Sequence, residues 1–308
     1  MAASIKPKWC RIALGFEGLN ILVFGCSGQV ARELARLADE LTFSFVFLGR
    51  RDADLSCPDK CGEVILTRKP VAVINTAAWT AVDAAETAEA EASIINGEAP
   101  GAMARACAKL SIPFLHISSD YVFDGSGDTP WQPYDPPRPL SAYGRSKLLG
   151  ERLVKESGAR AIVMRTSWVF SAHGSNFVKT MLRLGKERNL LHIVSDQVGG
   201  PTSARAIARS AVVLIEALLE GGDGGTFHFS GTPDVSRAEF ARVIMALEDL
   251  SCEIRPILTA EYPTAAPRPL NSRMGCCSLF DDYDISRPAW YPDVEWVLSE
   301  LKEQSNET

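Results

Sequence analysis

Short, wholly apolar runs alternate along the chain with longer stretches whose apolar positions recur every three or four residues. The apolar runs are 20–25 (NILVFG), 43–49 (FSFVFLG), 71–75 (VAVIN), 112–118 (IPFLHIS) and 160–166 (RAIVMRT). Helical spacing occupies 29–40, about 59–69, 99–110 and 140–157 between and beside them. A strand that is apolar at every residue is covered on both faces, and such strands separated by helices build a parallel sheet. The pattern therefore predicts an α/β fold with a Rossmann-like doubly wound parallel sheet. Beyond about residue 170 the rhythm loosens. Helices are expected at 176–188 and 203–219, short strands at 190–194 and 226–230, and a last helix near 294–304. Gly221, Gly222, Gly224 and Gly225 mark a loop, and Pro256, Pro263, Pro267 and Pro269 mark an irregular segment. This half is expected to form a smaller C-terminal α/β substrate lobe.

Composition narrows the function. The chain has 308 residues, enough for one large domain or a domain with an appendage. Its 38 acidic and 32 basic residues give a net charge of −6 without a Lys/Arg run, which argues against a nucleic-acid partner. No window approaches about 20 consecutive apolar residues, so no membrane span is expected. The eight cysteines are scattered through predicted helices and strands. Cys57 and Cys61 lack a second ligand pair and the four histidines lie far apart, so no metal site is expected. Unpaired thiols point to the cytoplasm. Residues 1–19 read as an irregular N-terminal extension, too interrupted for a signal peptide. The acid-rich stretch Asp83, Glu86, Glu89 and Glu91 reads as a solvated helix face.

Four motifs carry chemistry. Gly25, Gly28 and Ala31 sit between the first strand and the first helix. Glycine at 25 permits a tight turn, glycine at 28 lets backbone N–H groups approach a pyrophosphate, and the helix N-terminus favours the anion. A plain strand–turn–helix corner can carry the same letters; the place after the first strand of an α/β chain favours the dinucleotide site. Arg50 and Arg51 follow the second strand, where the adenosine ribose lies in this fold. A guanidinium there suits the 2′-phosphate, which favours NADPH while leaving NADH open. Tyr143 and Lys147 are four residues apart on a predicted helix, hence on one face. A nearby ammonium is expected to lower the phenol pKa toward working pH and ready it for proton transfer to a carbonyl. Ser118, Ser119 and Asp120 end the fourth strand, and carboxyl ends of parallel strands are where ligands bind.

These residues together resemble the extended branch of the short-chain dehydrogenase/reductase superfamily. Further stretches narrow the likeness: Asn75-Thr-Ala-Ala-Trp-Thr80-Ala-Val-Asp83, Ser119-Asp-Tyr-Val-Phe-Asp-Gly125, Arg165-Thr-Ser-Trp-Val-Phe170, Asn176-Phe-Val-Lys-Thr-Met-Leu-Arg183, Asp196-Gln-Val-Gly-Gly-Pro-Thr202 and Arg268-Pro-Leu-Asn-Ser-Arg273. In that order they are similar to the dTDP-4-dehydrorhamnose reductases. The resemblance implies reduction of the C4 ketone of dTDP-4-dehydro-β-L-rhamnose by NADPH or NADH. It implies Tyr143 as general acid, Lys147 on the nicotinamide ribose, and Ser119 as the hydroxyl on the carbonyl, in place of the family's usual Thr. Gly25, Ser27, Gly28, Gln29 and Val30 would meet the cofactor phosphates, with Arg50 and Arg51 near the ribose and Asp54 and Leu55 near the adenine. Ala78, Trp79 and Thr80 would line the cofactor channel. Ser119, Asp120, Tyr143, Trp168, Gln197 and Arg268 would meet the nucleotide-sugar substrate. The implied division is 1–19 extension, 20–170 NAD(P)-binding Rossmann domain and 171–308 mainly substrate lobe. A homodimer is carried as an expectation that no motif fixes.

Two positions depart from the family pattern: Ser141 stands where Asn is common, and Pro267 where Arg often precedes Arg268. Two rival readings remain open. Nucleotide-sugar 4,6-dehydratases usually carry Asp-Glu where this chain has Asp120-Tyr121. The regulatory subunit of eukaryotic methionine adenosyltransferase, a binding module, shares the Ser-Ser-Asp-Tyr-Val-Phe-Asp-Gly stretch.

Overall fold

The structure is a computed structural model that describes residues 20–306 except 39, 40 and 42; the expected extension over 1–19 lies outside the described residues. Six parallel strands form the central sheet: β1 Asn20–Phe24, β2 Ser44–Leu48, β3 Ala72–Asn75, β4 Phe114–Ser119, β5 Ala161–Thr166 and β6 Gly225–His228. Their order across the sheet is 2-1-3-4-5-6. The inner strands β1, β3, β4 and β5 are mostly apolar and buried because both faces are covered. Ile21 and Val23 of β1 enter a core with Leu34, Ile207 and Leu214. Leu22 and Phe24 enter another with Ile65, Met103 and Phe114. That alternation is the two-residue period of a strand. The chain leaves β1 toward β2 and returns on the other side as β3. The carboxyl ends of β1 and β3 thus flank a topological switch point, where ligands bind in open α/β sheets.

The sixth strand comes from beyond residue 170. β6 pairs with β5 from Gly225↔Ile162 to His228↔Arg165. The helix Ala204–Leu219 packs on the helix Gln29–Ala38 and fills the same core. Local periodicity finds both elements but cannot say which sheet they join. A separate core holds Phe170, Val178, Leu191, Phe240, Ile244, Trp290 and Val297. It is built by the helices Phe177–Glu187, Arg237–Leu247 and Trp290–Asn306 and the two-stranded sheet of Leu190–Val194 with Glu253–Ile257. Among the described residues no helix is long and apolar enough to cross a membrane.

Candidate active site

One cleft of about 710 Å³ opens over the carboxyl ends of the strands. At its β1 end Gly25 has φ +110°, and a Cβ there would lie 2.6 Å from Thr76 Oγ1. Only glycine fits that turn. Thr76 Oγ1 in turn donates to the Phe24 carbonyl at 2.9 Å, tying β3 to the turn. Gly28 is the opposite case: a Cβ there meets nothing within 4 Å. Gln29 begins the helix, and its Oε1 accepts from Ser171 Oγ and Asn176 Nδ2, both at 2.9 Å. Turn, open glycine and helix N-terminus fit a pyrophosphate. Thr166 Oγ1, buried at the end of β5 and lining the same cleft, has no hydrogen-bond partner among the described residues, and so offers a polar contact to a bound group. The alanine variant of Gly28 is expected to fold normally yet bind NADPH about tenfold or more weakly, since the added methyl enters the space left for phosphate. Unchanged affinity by fluorescence titration would remove the phosphate from that turn.

At the β2 tip Arg50 lines the cleft, with Asp54 and Leu55 beside it. The Ser56 amide donates to Asp54 and holds its carboxyl below the usual range. Ala78, Trp79 and Thr80 form the wall after β3. Asn96 fixes that wall: its Oδ1 accepts from the Trp79 amide at 2.8 Å, and its Nδ2 donates to the Trp79 carbonyl and to Ser146 Oγ.

The helix Ala142–Glu156 brings the reacting groups. Its N-cap is Ser141, whose Oγ accepts from the Gly144 amide at 3.2 Å, so the residue that departs from the family's Asn serves as a cap. The acidic stretch upstream faces solvent, as the sequence suggests, with Asp83 and Glu91 exposed and Glu86 and Glu89 half-buried, and it also reaches distant partners. Glu86 accepts from the Ala142 amide at 2.8 Å, and Glu89 forms a fork with Arg145 at 2.6 and 2.8 Å. Asp83 accepts from the Ala266 amide and from Arg268. Three of the four acids therefore hold the catalytic helix or the segment facing it, through partners far away in sequence. Gly144 packs the helix on the loop after β4, where a Cβ would lie 2.2 Å from the Tyr121 carbonyl oxygen. One turn below Lys147, Glu151 receives both ends of the Arg165 guanidinium, at 2.9 and 2.6 Å, and Ser118 Oγ at 2.5 Å. The helix is thereby locked to β4 and β5.

Tyr143 is buried, edge-on to Tyr121 with ring centroids 5.4 Å apart, and lines the cleft together with Ser119. Ser119 Oγ donates to Asp120 Oδ1 at 2.9 Å, and Ser272 Oγ donates to Asp120 Oδ2 at 2.5 Å. Burial raises the Asp120 carboxyl above its ordinary value, with the Ser272 and Ser119 hydrogen bonds opposing. The expectation that Lys147 lowers the Tyr143 phenol is corrected here. Burial dominates and pushes the phenol far above its ordinary value, with the nearby Ser119 hydroxyl opposing. Lys147 Nζ instead donates to the Ile117 carbonyl at 2.7 Å and lies 3.5 Å from His116 Nε2. Burial lowers the ammonium to about 8, against the charge of Glu151.

A pH dependence follows. Tyr143 stays protonated across the working range, so Lys147 is the group that titrates, losing its charge as pH rises through about 8. The profile of kcat/KM, which reports the free enzyme, is expected to fall above about 8. Lys147→Arg should move that limb upward; an unmoved limb would assign it elsewhere. The stability sign is the opposite. Between about 8 and 10.5 the unfolded chain binds the Lys147 proton and the folded chain does not, so stability rises with pH through that window.

Of the residues expected from sequence, Gly25, Ser27, Gly28, Gln29, Val30, Arg50, Asp54, Leu55, Ala78, Trp79, Thr80, Ser119, Asp120, Tyr143, Lys147 and Trp168 all line this cleft. Arg51, Gln197 and Arg268 do not. Arg51 is exposed, Gln197 Nε2 donates to Thr259 Oγ1 at 3.1 Å, and Arg268 pairs with Asp83 at 2.6 Å. Thr166, Ser167, Ser175 and Arg237 line the cleft without having been expected. Trp168 has φ +50°, an uncommon backbone state for a bulky residue and one that concentrates at functional sites. Gly199 leaves room for its ring, since a Cβ there would lie 3.2 Å from Trp168 Cε2.

Fold and cleft together are those of a dinucleotide-dependent oxidoreductase in the extended short-chain class. Residues 19–303 match the family described as RmlD substrate binding domain. A dTDP-4-dehydrorhamnose reductase of Burkholderia thailandensis is 42% identical over 299 residues, covering 93% of this chain and all of that protein. The Escherichia coli K12 protein of the same name is 36% identical, covering 92% and 98%. Among solved structures, dTDP-4-dehydrorhamnose reductase from Clostridium acetobutylicum superposes with a TM-score of 0.87 at 33% identity, covering 92% of this chain and 100% of that one. The Bacillus anthracis enzyme, solved in complex with NADP, gives 0.85 at 31%, covering 92% and 99%. The chain belongs to the dTDP-4-dehydrorhamnose reductase family.

Proposed function

We propose that the chain reduces the C4 ketone of dTDP-4-dehydro-β-L-rhamnose to dTDP-L-rhamnose, with NADPH as the preferred donor and Tyr143 supplying the proton. The observation that carries this reading is that Tyr143, Lys147 and the strand-tip Ser119 line the same cleft as an open glycine turn. When bound, the nicotinamide supplies hydride. Gly25, Gly28 and Gln29 would hold its phosphates, Arg50 the ribose phosphate of NADPH, and Thr166 a polar edge. A buried neutral phenol keeps its proton until a carbonyl oxygen arrives, and the Ser119 hydroxyl, turned from Asp120, would donate to that oxygen as charge develops on it. The phenolate left behind is costly in so buried a place. Lys147, which lines the same cleft, would hold the nicotinamide ribose. The sheet layer, including residues 204–228, would carry the cofactor, and the segments around Trp168 and Arg237 the sugar nucleotide.

Tyr121 occupies the position at which a dehydratase needs a carboxylate, so elimination lacks its base. A purely regulatory role is disfavoured by the curated relatives, which are named as reductases. Two placements travel with the proposal. The cytoplasm is supported by seven cysteines without disulfides among the described residues. A homodimer is read directly by sedimentation. The test of function is NADPH absorbance on adding dTDP-4-keto-L-rhamnose, repeated with NADH. Consumption that requires the keto sugar supports the reading; a flat trace with both cofactors overturns it.

A further inference from the structure

Arg237 opens the helix Arg237–Leu247 behind the N-cap Ser236, which pairs reciprocally with Glu239: the Glu239 amide donates to Ser236 Oγ at 3.1 Å, and the Ser236 amide to Glu239 Oε2 at 2.9 Å. The Arg237 amide donates to the Gln197 carbonyl at 3.2 Å. The backbone is therefore fixed, and the side chain lies in the cleft wall beside Asp120, Tyr121 and Tyr143. Its guanidinium carbon sits 3.6 Å from the Trp168 ring centroid and 5.1 Å from that of Phe177.

What the guanidinium lacks is an acceptor. It makes no hydrogen bond or ion pair to any described residue. Asp120, the nearby carboxylate, is already engaged at both oxygens by Ser119 and Ser272. Arg268, the other arginine that acts on it electrostatically, is tied to Asp83 outside the cleft wall. Desolvation draws the Arg237 cation down to about 10, in spite of the charges of Tyr121 and Asp120. Five donors held over an aromatic ring without an acceptor form a fork open to an anion. The cleft's other anion cradle is the glycine turn after β1. Asp120 follows β4, two strands away across the sheet, so Arg237 serves the substrate end.

We infer that Arg237 receives the diphosphate of the sugar nucleotide, with Trp168 as the platform that holds its fork, and so sets the preference for a nucleoside diphosphate over a bare nucleoside. This rests on the substrate class proposed above. The test uses the full chain with NADPH bound and titrates dTDP, dTMP and thymidine calorimetrically into wild type, Arg237→Met and Arg237→Lys, alongside kcat and KM for the keto sugar. Wild type should prefer dTDP to thymidine. Arg237→Met should lose about 10- to 100-fold in dTDP affinity while leaving thymidine and NADPH binding unchanged, with KM rising in proportion and kcat little altered. Arg237→Lys keeps the charge without the fork and should fall between; it also serves if the methionine variant fails to fold. An unchanged dTDP-to-thymidine ratio in both variants would overturn the inference, as would equal loss of both ligands, which marks a structural prop. If wild type turns over the keto sugar and the ratio is unmoved, only the Arg237 assignment fails. If wild type neither binds dTDP nor consumes NADPH, the proposed function fails with it.

Discussion

Tyr143→Phe should lower kcat by about 10³-fold, within the range a positioned general acid contributes. The change removes one oxygen and leaves the ring edge-on to Tyr121, so the fold and NADPH affinity should persist. Ser119 keeps its hydrogen bonds to Asp120 and from the Tyr121 amide. The loss should therefore appear in kcat and only weakly in KM, as expected when an interaction is made in the transition state. Stopped-flow turnover with saturating keto sugar and NADPH measures it. A variant running at the wild-type rate would take Tyr143 out of the mechanism.

Gly144→Ala tests how the phenol is positioned. The new methyl would stand 2.2 Å from the Tyr121 carbonyl oxygen and 2.9 Å from Pro139 Cβ. The first contact is backbone and cannot rotate away, so the helix carrying Tyr143 and Lys147 must shift from the strand-tip hydroxyl. A displacement of about 1 Å costs on the order of 10²-fold in rate. The expected result is a kcat reduced by about that factor together with a lowered Tm. Activity and Tm both at wild-type level would mean that the contact between helix and loop does not set the geometry.

Much of this was legible in the sequence, for identifiable reasons. β1 to β5 declare themselves because each holds a short run of consecutive apolar residues, as strands covered on both faces do. The glycine turn and the Tyr143–Lys147 pair are local features, carried by spacing alone. Non-local features were not legible. Residues 225–228 read as a strand, but joining β5 depends on a chain return of more than 50 residues. Asp83, Glu86 and Glu89 read rightly as solvent-facing, but their partners Arg268, Ala142 and Arg145 lie far along the chain and could not be read from it. The Tyr143 phenol is pushed up by burial, which four-residue spacing does not disclose. Arg237 had a usable signal: Ser236 followed by Glu239 is a capping-box pattern that opens a helix, and the helix places the guanidinium in the cleft. Asn96 had a weaker one, being a lone polar residue in the run of Ile94, Ile95 and Gly97, yet it fixes the Trp79 wall.

The most direct test is product identity with stoichiometry. The chain is incubated with dTDP-4-keto-L-rhamnose and a limiting amount of NADPH, and the sugar nucleotide is resolved by NMR. One dTDP-L-rhamnose per NADPH consumed is the predicted result. Keto sugar recovered intact, or a product altered elsewhere than C4, would contradict a ketone seated between Tyr143 and Ser119.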